Sequence, residues 1–486
     1  MRIMTETDGQ TAMGCAVMQN PSWTLDEVLR ATEGTLRCGR FQAVFRGVST
    51  DSRKICPGDL FVAINGDKFD GHDYLASAIA QGAGGVMVSR SPSEEPAVPC
   101  VVVSDTLRGL GDLAAFRRRL MKELVVLAIT GSSGKTTVKE MCAGILAQED
   151  TVLKTVGNFN NLIGLPLSLL PVDYNHRFAV LEMGMNHPGE IARLTEIADP
   201  DIACINNVQA AHLQGLGDVS GVARAKGELF RGAGGATTLV VNHDDREVRK
   251  IAEDCRQRKI TFGLKAGAMV RATHIKGLGG EGTVFSLLLP GRRYRVKTAF
   301  VGRHNVANAL AATALALAAG ASDPAILEGL AAYTPFDKRL AMLTTKSGIR
   351  VINDTYNANP ASMLAAFETL ADLRRDSRSL VVVGDMLELG EQSVAAHRFL
   401  GETAARMKFD YLFACGSFAH EVVEAARSTG FTRIRAHAFA GKDEIVTRLR
   451  ELEGKGEIGP GDWILVKGSR SMRMETVVAA LEGGGE

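Results

Sequence analysis

The sequence predicts an α/β protein of three domains: a small N-terminal α/β module, a central domain with a mostly parallel sheet, and a C-terminal Rossmann-like domain with a doubly wound sheet. Three observations lead to this fold class. The chain has 486 residues, more than one hydrophobic core supports. Apolar runs of strand length alternate with helix-length segments, as in parallel sheets covered by helices. The length and spacing of these alternating segments change twice along the chain, which indicates separate domains.

The expected domain limits follow from these changes. A polar leader occupies residues 1–21, and the N-terminal domain, 22–104, contains the apolar runs LFVAI, GGVMV and CVVV. The central domain, 105–335, contains LVVLAI, FAVLEM, DIACINN and TLVVN. Its last part, Val270 to Phe300, has three β-like runs separated by the turns GLGGEG and PGRR, which predict an antiparallel extension of the sheet. The C-terminal domain, 336–486, contains RVIND, LVVVGD, YLFACG and WILVKG.

Composition excludes several classes of protein. The chain has 56 basic and 55 acidic residues, so no excess charge favours a nucleic acid or an anionic membrane. Its eight cysteines include no C-x-x-C pair and no zinc spacing. No apolar run has the length of a signal peptide or of a membrane-spanning helix. We therefore expect a cytoplasmic protein whose partners are small molecules. A monomer is a separate expectation, which composition does not establish.

A phosphate-binding loop is the strongest single signal. The buried strand LVVLAI runs into a glycine-rich turn and then into a helix, so backbone N–H groups and the helix N-terminus can hold phosphates. Ile129 stands where the general pattern has its first glycine, so this is the shorter G-x-x-G-K-T form. The string alone also fits a plain turn, but the strand before it and the helix after it favour phosphate binding and a central domain of the P-loop ATPase type. The candidate residues are Gly131, Ser132, Ser133, Gly134, Lys135, Thr136 and Thr137.

Three further polar residues stand near strand ends or on helices of the central domain. Glu182 ends the apolar strand FAVLE, where an unpaired carboxylate is costly, so it should be paired or metal-bound. His212 follows the next sheet strand, although a lone histidine is more often structural than a ligand. Lys226 is, on its own, an ordinary helix lysine.

In the C-terminal domain, polar residues follow the strand RVIND. Asp354, Tyr356 and Asn357 stand at its carboxyl end, where doubly wound sheets bind ligands, and Asn359–Pro360 predicts the start of a helix. Because Asn and Asp also favour turns, turn formation is an equal alternative for these residues.

Five strings together resemble the Mur ligase family: TGSSGKTT, LEMG, AHL with AKGE, GRHNVANALAA and NDTYNANPASM, in this order between Thr130 and Met363. Two further strings, VSTDSRKICPGDLFVAINGDKFDGHDY (Val48–Tyr74) and GNFNNLIGLPLSLL (Gly157–Leu170), narrow the resemblance to one branch of the family. VVVGDMLELG and VKGSRSMRME support it near the C-terminus. The leader has no counterpart.

The resemblance implies cofactors and roles for residues. It implies ATP and two Mg²⁺ ions, with Thr136 and Glu182 near the first ion and His212 near the second. It also implies a carbamylated Lys226, which requires a site that favours the neutral amine. Nucleotide contacts are expected from Asn305, Arg339, Asp354 and Asn357. Contacts to a uridine nucleotide are expected from Ser52, Arg53, Gly58 and Asp59, and contacts to its muramoyl-peptide part from Asn160 and Asn161.

The activity implied is ATP-dependent amide formation between the carboxylate of UDP-N-acetylmuramoyl-tripeptide and the amine of D-alanyl-D-alanine. The nearest alternatives are the diamino-acid-adding ligase of the family and folylpolyglutamate synthetase. The C-terminal domain has no D-N-P-R string, which counts against the first, and the N-terminal module counts against the second. A P-loop protein that uses ATP only as a conformational switch leaves that module unexplained.

Overall fold

A computed structural model describes residues 21–66, 68–211, 213–335 and 338–483. These residues form two compact units. The first unit comprises the described residues up to Val126 together with Thr151–Met183 and Arg193–Pro200. The second unit comprises Leu127–Asp150, Gly184–Ala192 and the described residues from Asp201 onward. The predicted leader lies, except for Pro21, outside the described residues.

The elements of the fold alternate as the sequence predicts. The strands are β1 Trp23–Thr24, β2 Thr35–Cys38, β3 Val44–Phe45, β4 Val48–Ser49, β5 Leu60–Val62, β6 Gly85–Val88, β7 Cys100–Val102, β8 Val125–Thr130, β9 Val152–Lys154, β10 Phe178–Glu182, β11 Ile202–Ile205, β12 Thr238–Asn242, β13 Lys259–Gly263, β14 Val270–Gly277, β15 Thr283–Leu289, β16 Arg292–Thr298, β17 Ala341–Thr344, β18 Arg350–Asp354, β19 Ser379–Val383, β20 Tyr411–Cys415, β21 Ala436–Phe439 and β22 Trp463–Lys467. The α-helices are α1 Leu25–Thr32, α2 Leu75–Ala80, α3 Thr106–Leu120, α4 Lys135–Leu146, α5 Gly164–Leu169, α6 Glu190–Ala198, α7 Leu213–Leu216, α8 Val219–Gly232, α9 Arg246–Glu253, α10 Arg303–Ala318, α11 Asp323–Ala332, α12 Pro360–Arg374, α13 Ser393–Arg406, α14 Ala419–Ser428, α15 Lys442–Gly454 and α16 Glu475–Glu482.

The first unit is built on a five-stranded sheet of order β2-β7-β6-β5-β4. Strands β4 to β7 are parallel, and β2 is antiparallel to β7. The predicted runs LFVAI, GGVMV and CVVV form β5, β6 and β7, which confirms the α/β module. Its β-branched and apolar side chains are buried on both faces, as in a parallel sheet covered by helices. Strands β9 and β10 of the same unit also pair in parallel.

The second unit contains a long sheet in which β16-β15-β14-β13-β12-β11-β8 are neighbours. The strands from β8 to β14 pair in parallel, and the β14–β15–β16 segment pairs antiparallel. This confirms both the mostly parallel central sheet and its antiparallel extension. Helix α10, rich in alanine, is buried along most of its length, because small side chains allow close packing beside other elements.

The rest of the second unit contains a six-stranded sheet of order β17-β18-β22-β19-β20-β21. Every pair is parallel except β17–β18, and the order reverses direction across the sheet, which confirms the doubly wound prediction. Helix α12 begins at Pro360, and the Asn359 side chain accepts a hydrogen bond from the Ser362 amide, as the Asn–Pro sequence predicts. In the part of the chain that the structure describes, no helix is long and apolar enough to cross a bilayer.

Candidate active site

The phosphate loop has the strand–loop–helix form that its sequence predicts. Strand β8 ends at Thr130, and α4 begins at Lys135. Between them, Gly134 adopts a φ of +77°. A Cβ atom at this position would lie 2.3 Å from Asn308 Oδ1 and 2.7 Å from Asn206 Nδ2. Both the backbone conformation and the surrounding space therefore require glycine here.

The loop is braced by the segment that follows β11. The Ser133 amide donates to Asn207 Oδ1 at 2.9 Å, and the Ser133 hydroxyl donates to Gln209 Oε1 at 2.9 Å. The Ser132 hydroxyl donates to the Gln209 carbonyl at 3.0 Å. These bonds restrain the conformation of the loop, as preorganised phosphate binding requires.

The charged and hydroxyl side chains of this region lie at the junction of the loop and α4. Lys135 Nζ donates to the Gly131 carbonyl at 2.8 Å, so the ammonium lies over the loop's own backbone. Thr136 and Thr137 are buried at the start of α4. An ammonium and a hydroxyl at the N-terminus of a helix are groups that bind phosphate oxygens and their cation.

Two residues near the C-terminal sheet contact the loop. Arg339 Nη2 lies 2.9 Å from Thr136 Oγ1, and its guanidinium stacks over the Tyr356 ring at 3.8 Å from the centroid. Asn359 Nδ2 donates to the Ser133 hydroxyl at 3.2 Å. Arg339, just before β17, and Asn359, in the segment after β18, therefore both contact the phosphate loop, although both are far from it in sequence.

Asn305, predicted to contact the nucleotide, belongs to a chain of buried amides. Its Nδ2 donates to the Val301 carbonyl at 2.9 Å, and its Oδ1 accepts from Asn308 Nδ2 at 3.1 Å. Asn308 Oδ1 in turn accepts from Asn206 Nδ2, which also donates to the Ser133 carbonyl. The amide chain connects the start of α10 with the phosphate loop.

Asp354 lies at the end of β18, as predicted, and its carboxylate is ion-paired. Oδ2 is 2.6 Å from Lys467 Nζ, and Oδ1 accepts from the Leu340 amide at 3.2 Å. The Asn357 side chain is exposed, and its Oδ1 accepts from the Ala358 amide. Burial lowers the pKa of nearby His304 to about 4, with Asp354 raising the pKa and Lys467 lowering it. The histidine is therefore neutral at physiological pH.

Lys226 is a buried lysine on α8, with 1% of its surface exposed. Burial, and secondarily the charge of Lys135, lower its pKa well below the ordinary value. A larger fraction of its amine is then neutral than in an exposed lysine. His212, the other residue predicted in this part of the chain, lies outside the described residues.

In the first unit, Glu182 is buried at the end of β10, and its Oε1 accepts from Asn160 Nδ2 at 2.8 Å. Asn161 has a different role: its Oδ1 accepts hydrogen bonds from the amides of Ile163 and of Gly164, the first residue of α5. The structure thus brings Asn160 and Glu182 together, as neighbours in a polar pair that the sequence did not predict.

The other predicted residues of the first unit lie between β4 and β5. Arg53 is exposed and forms a two-point ion pair with Asp51, and this pair lowers the pKa of the Asp51 carboxyl. Gly58 has a φ of +94°, and Ser52 is half-buried. Asp59 is buried and accepts from the Cys56 amide at 2.9 Å. Burial raises the pKa of Asp59. Asp59 stabilises the turn, whereas Arg53 faces solvent.

Family models match three consecutive stretches of the chain. The model described as "Mur ligase family, catalytic domain" matches residues 44–118, "Mur ligase middle domain" matches 129–316, and "Mur ligase, glutamate ligase domain" matches 338–470. The chain belongs to the Mur ligase family. The phosphate loop, Lys226 and the amide chain lie in the middle region of this Mur ligase, and Asp354 lies in the third.

Curated relatives cover almost the whole chain. The UDP-N-acetylmuramoyl-tripeptide–D-alanyl-D-alanine ligase of Escherichia coli (strain K12) is 41% identical over 90% of this chain and 94% of its own length. The enzyme of the same name from Bacillus subtilis (strain 168) is 34% identical over 94% of this chain and 98% of its own.

Solved structures agree with these relatives. A crystal structure of MurF from Acinetobacter baumannii has a TM-score of 0.89 at 35% identity, covering 96% of this chain and 100% of its own. MurF ligase from Thermotoga maritima in complex with ADP has a TM-score of 0.80 at 28% identity, covering 90% and 97%. A Mycobacterium tuberculosis folylpolyglutamate synthase, one of the alternatives, has 19% identity and a TM-score of 0.61 and shares the fold.

Several residues of the site could not be predicted as such from the sequence. The hydrogen bonds that organise the phosphate loop involve Gln209, Asn206 and Asn308. Asn359 contacts the loop itself, and Lys467 contacts Asp354 and Asn357. Asn308 and Asn359 stand inside two of the strings that signalled the family, GRHNVANALAA and NDTYNANPASM, and Gln209 lies two residues before the string AHL. Their position within or beside those strings was the available signal. Lys467 had a weaker one, a charged residue at the end of the apolar strand WILVK.

Proposed function

We propose that this Mur ligase uses ATP to join D-alanyl-D-alanine to UDP-N-acetylmuramoyl-tripeptide, the last cytoplasmic step in assembling the peptide of the peptidoglycan precursor. The observation that carries the proposal is the match, over about nine-tenths of the chain, to relatives named for this reaction. The organised phosphate loop, with Arg339 and Asn359 bonded to it, supports phosphoryl transfer as the chemistry.

The reaction needs activation of a carboxylate, because oxide is too poor a leaving group for an amine to displace. The γ-phosphoryl group of ATP is transferred to a carboxylate oxygen, which breaks its bond to ADP and gives an acyl phosphate. The amine nitrogen then attacks the carbonyl carbon and loses a proton, and inorganic phosphate leaves with the C–O bonding electrons. No protein nucleophile is required.

The chain's own part is to hold negative charge and to exclude water. The backbone of Gly131–Gly134 and the ammonium of Lys135 would hold the transferred phosphoryl group, and Arg339 would neutralise charge beside Thr136. The acyl phosphate hydrolyses readily, so closure around it is expected, with the segment Thr334–Arg339 as the hinge. Of this segment, Phe336 and Asp337 lie outside the described residues.

Two buried oxygen donors support the proposal that the protein binds Mg²⁺. No three His, Cys, Asp or Glu side chains among the described residues converge as a metal cluster. Mg²⁺ commonly takes one or two protein oxygens and completes its shell with waters and substrate phosphates. Thr136 and Glu182 are buried oxygen donors of this kind, and we propose them, with His212 and Lys226, as the residues that hold two Mg²⁺. When bound, the ions supply positive charge to the phosphate oxygens.

The carbamate on Lys226 is part of the same proposal. Carbon dioxide reacts with a neutral amine, and burial together with Lys135 lowers the pKa of Lys226 as this reaction requires. The carbamate would turn a buried amine into an anion with oxygen donors, which suits a neighbour of Lys135 and of Mg²⁺.

Recognition of the uridine nucleotide is proposed for Ser52, Arg53, Gly58 and Asp59, and of the muramoyl peptide for Asn160 and Asn161. The exposed guanidinium of Arg53 supports this role, because it can exchange Asp51 for a phosphate. We also propose that the ATP nucleotide is contacted by Asn305, Arg339, Asp354 and Asn357.

The proposal further includes the three domain limits, a cytoplasmic location and a monomeric state. The three consecutive family-model matches support a division into three domains, and the first match, 44–118, extends past the proposed limit at residue 104.

The first experiment measures phosphate release from ATP with UDP-N-acetylmuramoyl-tripeptide and Mg²⁺, with and without D-alanyl-D-alanine. Release that requires both substrates, together with a pentapeptide product identified by mass, is the expected result. Release that requires a diamino acid or glutamate in place of the dipeptide would transfer the assignment to one of the alternative ligases. ATP binding without any amide product would indicate a switch protein.

A further inference from the structure

Lys467 is a buried cation that the proposed mechanism does not use. It ends strand β22, in register with Asp354 of β18 on one side and with Val383 of β19 on the other. Only 2% of its surface is exposed. A lysine in such a place is costly unless its ammonium is paired and hydrogen-bonded.

Two hydrogen bonds of the ammonium go to segments predicted to contact the nucleotide. Nζ lies 2.6 Å from Asp354 Oδ2 and 2.9 Å from the main-chain carbonyl oxygen of Asn357. One ammonium therefore fixes the end of β18 and the loop that follows it. The loop continues to Asn359, whose side-chain amide donates to the hydroxyl of the phosphate-loop residue Ser133.

The Asp354 carboxylate also contacts the segment that carries Arg339. The second oxygen of Asp354 accepts from the Leu340 amide at 3.2 Å. Because Leu340 follows Arg339 directly, the orientation of Asp354 also restrains the backbone that carries the guanidinium bonded to Thr136. With the carboxylate held at both oxygens, its direction is set by Lys467 on one side and by Leu340 on the other.

Among the described residues, His304 does not replace Lys467 as a cation beside Asp354. His304, on the facing helix α10, is neutral because burial lowers its pKa to about 4. Removing the ammonium would leave a largely buried carboxylate without its ion-pair partner, and such a group turns away or takes up a proton.

We infer that Lys467 is a positioning residue for nucleotide binding: it holds Asp354 and the Asn357 carbonyl in the orientation that receives the nucleotide, without contacting the nucleotide itself. This inference rests on the proposed function, in which Asp354 and Asn357 contact ATP. It predicts that the effect of Lys467 passes through Asp354.

The test is a double-mutant cycle read out as ADP affinity by isothermal titration calorimetry. Its variants are Lys467→Met, Asp354→Asn and the double variant, each with a melting temperature and with the affinity for UDP-N-acetylmuramoyl-tripeptide. Lys259→Met is the matched control, since Lys259 also binds main-chain carbonyls but lies on β13. Lys467→Arg tests whether charge alone restores the function.

The expected result is a Kd for ADP raised about 10-fold or more in Lys467→Met, with the affinity for the uridine nucleotide changed by less than about 2-fold. The double variant should match Asp354→Asn within about 2-fold, because Lys467 has nothing to position once the carboxylate is gone. Lys467→Arg should recover ADP binding to within about 3-fold of the wild type, and Lys259→Met should leave it unchanged.

Two results would overturn the inference: a folded Lys467→Met variant that binds ADP like the wild type, or effects that multiply in the double variant. If Lys467→Met does not fold, the double variant decides, because removing both charges of a buried pair is better tolerated than removing one. Wild-type ligation is measured separately, so a failure of the named substrates is distinguishable from a failure of this role.

Discussion

The phosphate loop and the Val48–Tyr74 segment both contain residues predicted to bind anionic parts of substrates, but they use their polar side chains differently. In the phosphate loop, Ser132 and Ser133 are bonded to Gln209 and Asn207, and Gly134 is enclosed by asparagines. In the Val48–Tyr74 segment, the Arg53 side chain is 84% exposed and paired with the Asp51 carboxylate.

The difference separates two ways to bind an anion. A loop held by internal bonds has its geometry set before the ligand arrives, so substitutions there affect the reaction itself. An exposed arginine contributes little to the fold and can exchange its partner for a ligand. Substitutions in the two regions should therefore differ in the size of their effects and in the substrate that they affect.

Lys135→Ala should give the largest loss, at least about 10³-fold in kcat/KM, because the phosphoryl group loses its charge partner at the loop. Phosphate release measures the effect, and circular dichroism should show an intact fold. Lys346→Ala is the control, since Lys346 is exposed in the turn between β17 and β18. Near-normal turnover in Lys135→Ala would remove the phosphate assignment.

Lys226→Ala should be inactive without added carboxylate, because the side chain that carries the carbamate is removed. Acetate should restore part of the activity by placing an anion in the space left by the side chain. The same phosphate-release assay, repeated with increasing acetate, gives the result, and Lys135→Ala should show no rescue. Full activity of Lys226→Ala without acetate would contradict a carbamate at this position.

His304 predicts how the second unit responds to acid. Its folded-state pKa, about 4, is lower than its ordinary value of 6.5, so the unfolded chain binds the proton more readily and stability falls as pH drops from about 6.5 to 4. The contribution is about 3 kcal/mol at most. Urea denaturation between pH 7 and pH 4 should show a shallower pH dependence for His304→Asn than for the wild type.

The exposed His420 offers a control for this measurement. His420→Asn should keep the wild-type pH dependence, whereas an unchanged dependence in His304→Asn would show that His304 is not the group that titrates in this window.

Arg53→Ala should have the smallest effect and should affect one substrate only. The KM for UDP-N-acetylmuramoyl-tripeptide should rise about 10-fold, as for the loss of one charge-assisted hydrogen bond, while the KM for ATP and the unfolding midpoint stay unchanged. Arg30→Ala removes a similar exposed ion pair, with Asp26 on α1, and serves as the control. If Arg30→Ala raised this KM as much, Arg53 would have no specific role.

Much of the fold was predictable because hydrophobic periodicity is a local property. The runs LVVLAI, DIACINN and TLVVN form β8, β11 and β12, and the turns PGRR and GLGGEG join β14, β15 and β16. The edge strands β17 and β21 were not predicted, because AMLT and AHAF are short and partly exposed and so lack a clear apolar pattern.

The candidate site divides in the same way. The phosphate loop was predictable because strand, glycines, lysine and threonines are consecutive. The bond between Arg339 and Thr136 joins residues 203 positions apart, and the pair Lys467–Asp354 joins residues 113 positions apart. No pattern within a short window contains such contacts.

The sequence by itself determined the α/β class, the phosphate loop and the family, because each depends on residues that are neighbours along the chain. Tertiary structure decided which side chains are already paired, which lysine is buried and which arginine is exposed. The physical reason is that burial and charge pairing depend on distances across the folded chain. A lysine at the end of a strand is ordinary in sequence, and Lys467 became a candidate positioning residue only because folding placed its ammonium beside Asp354.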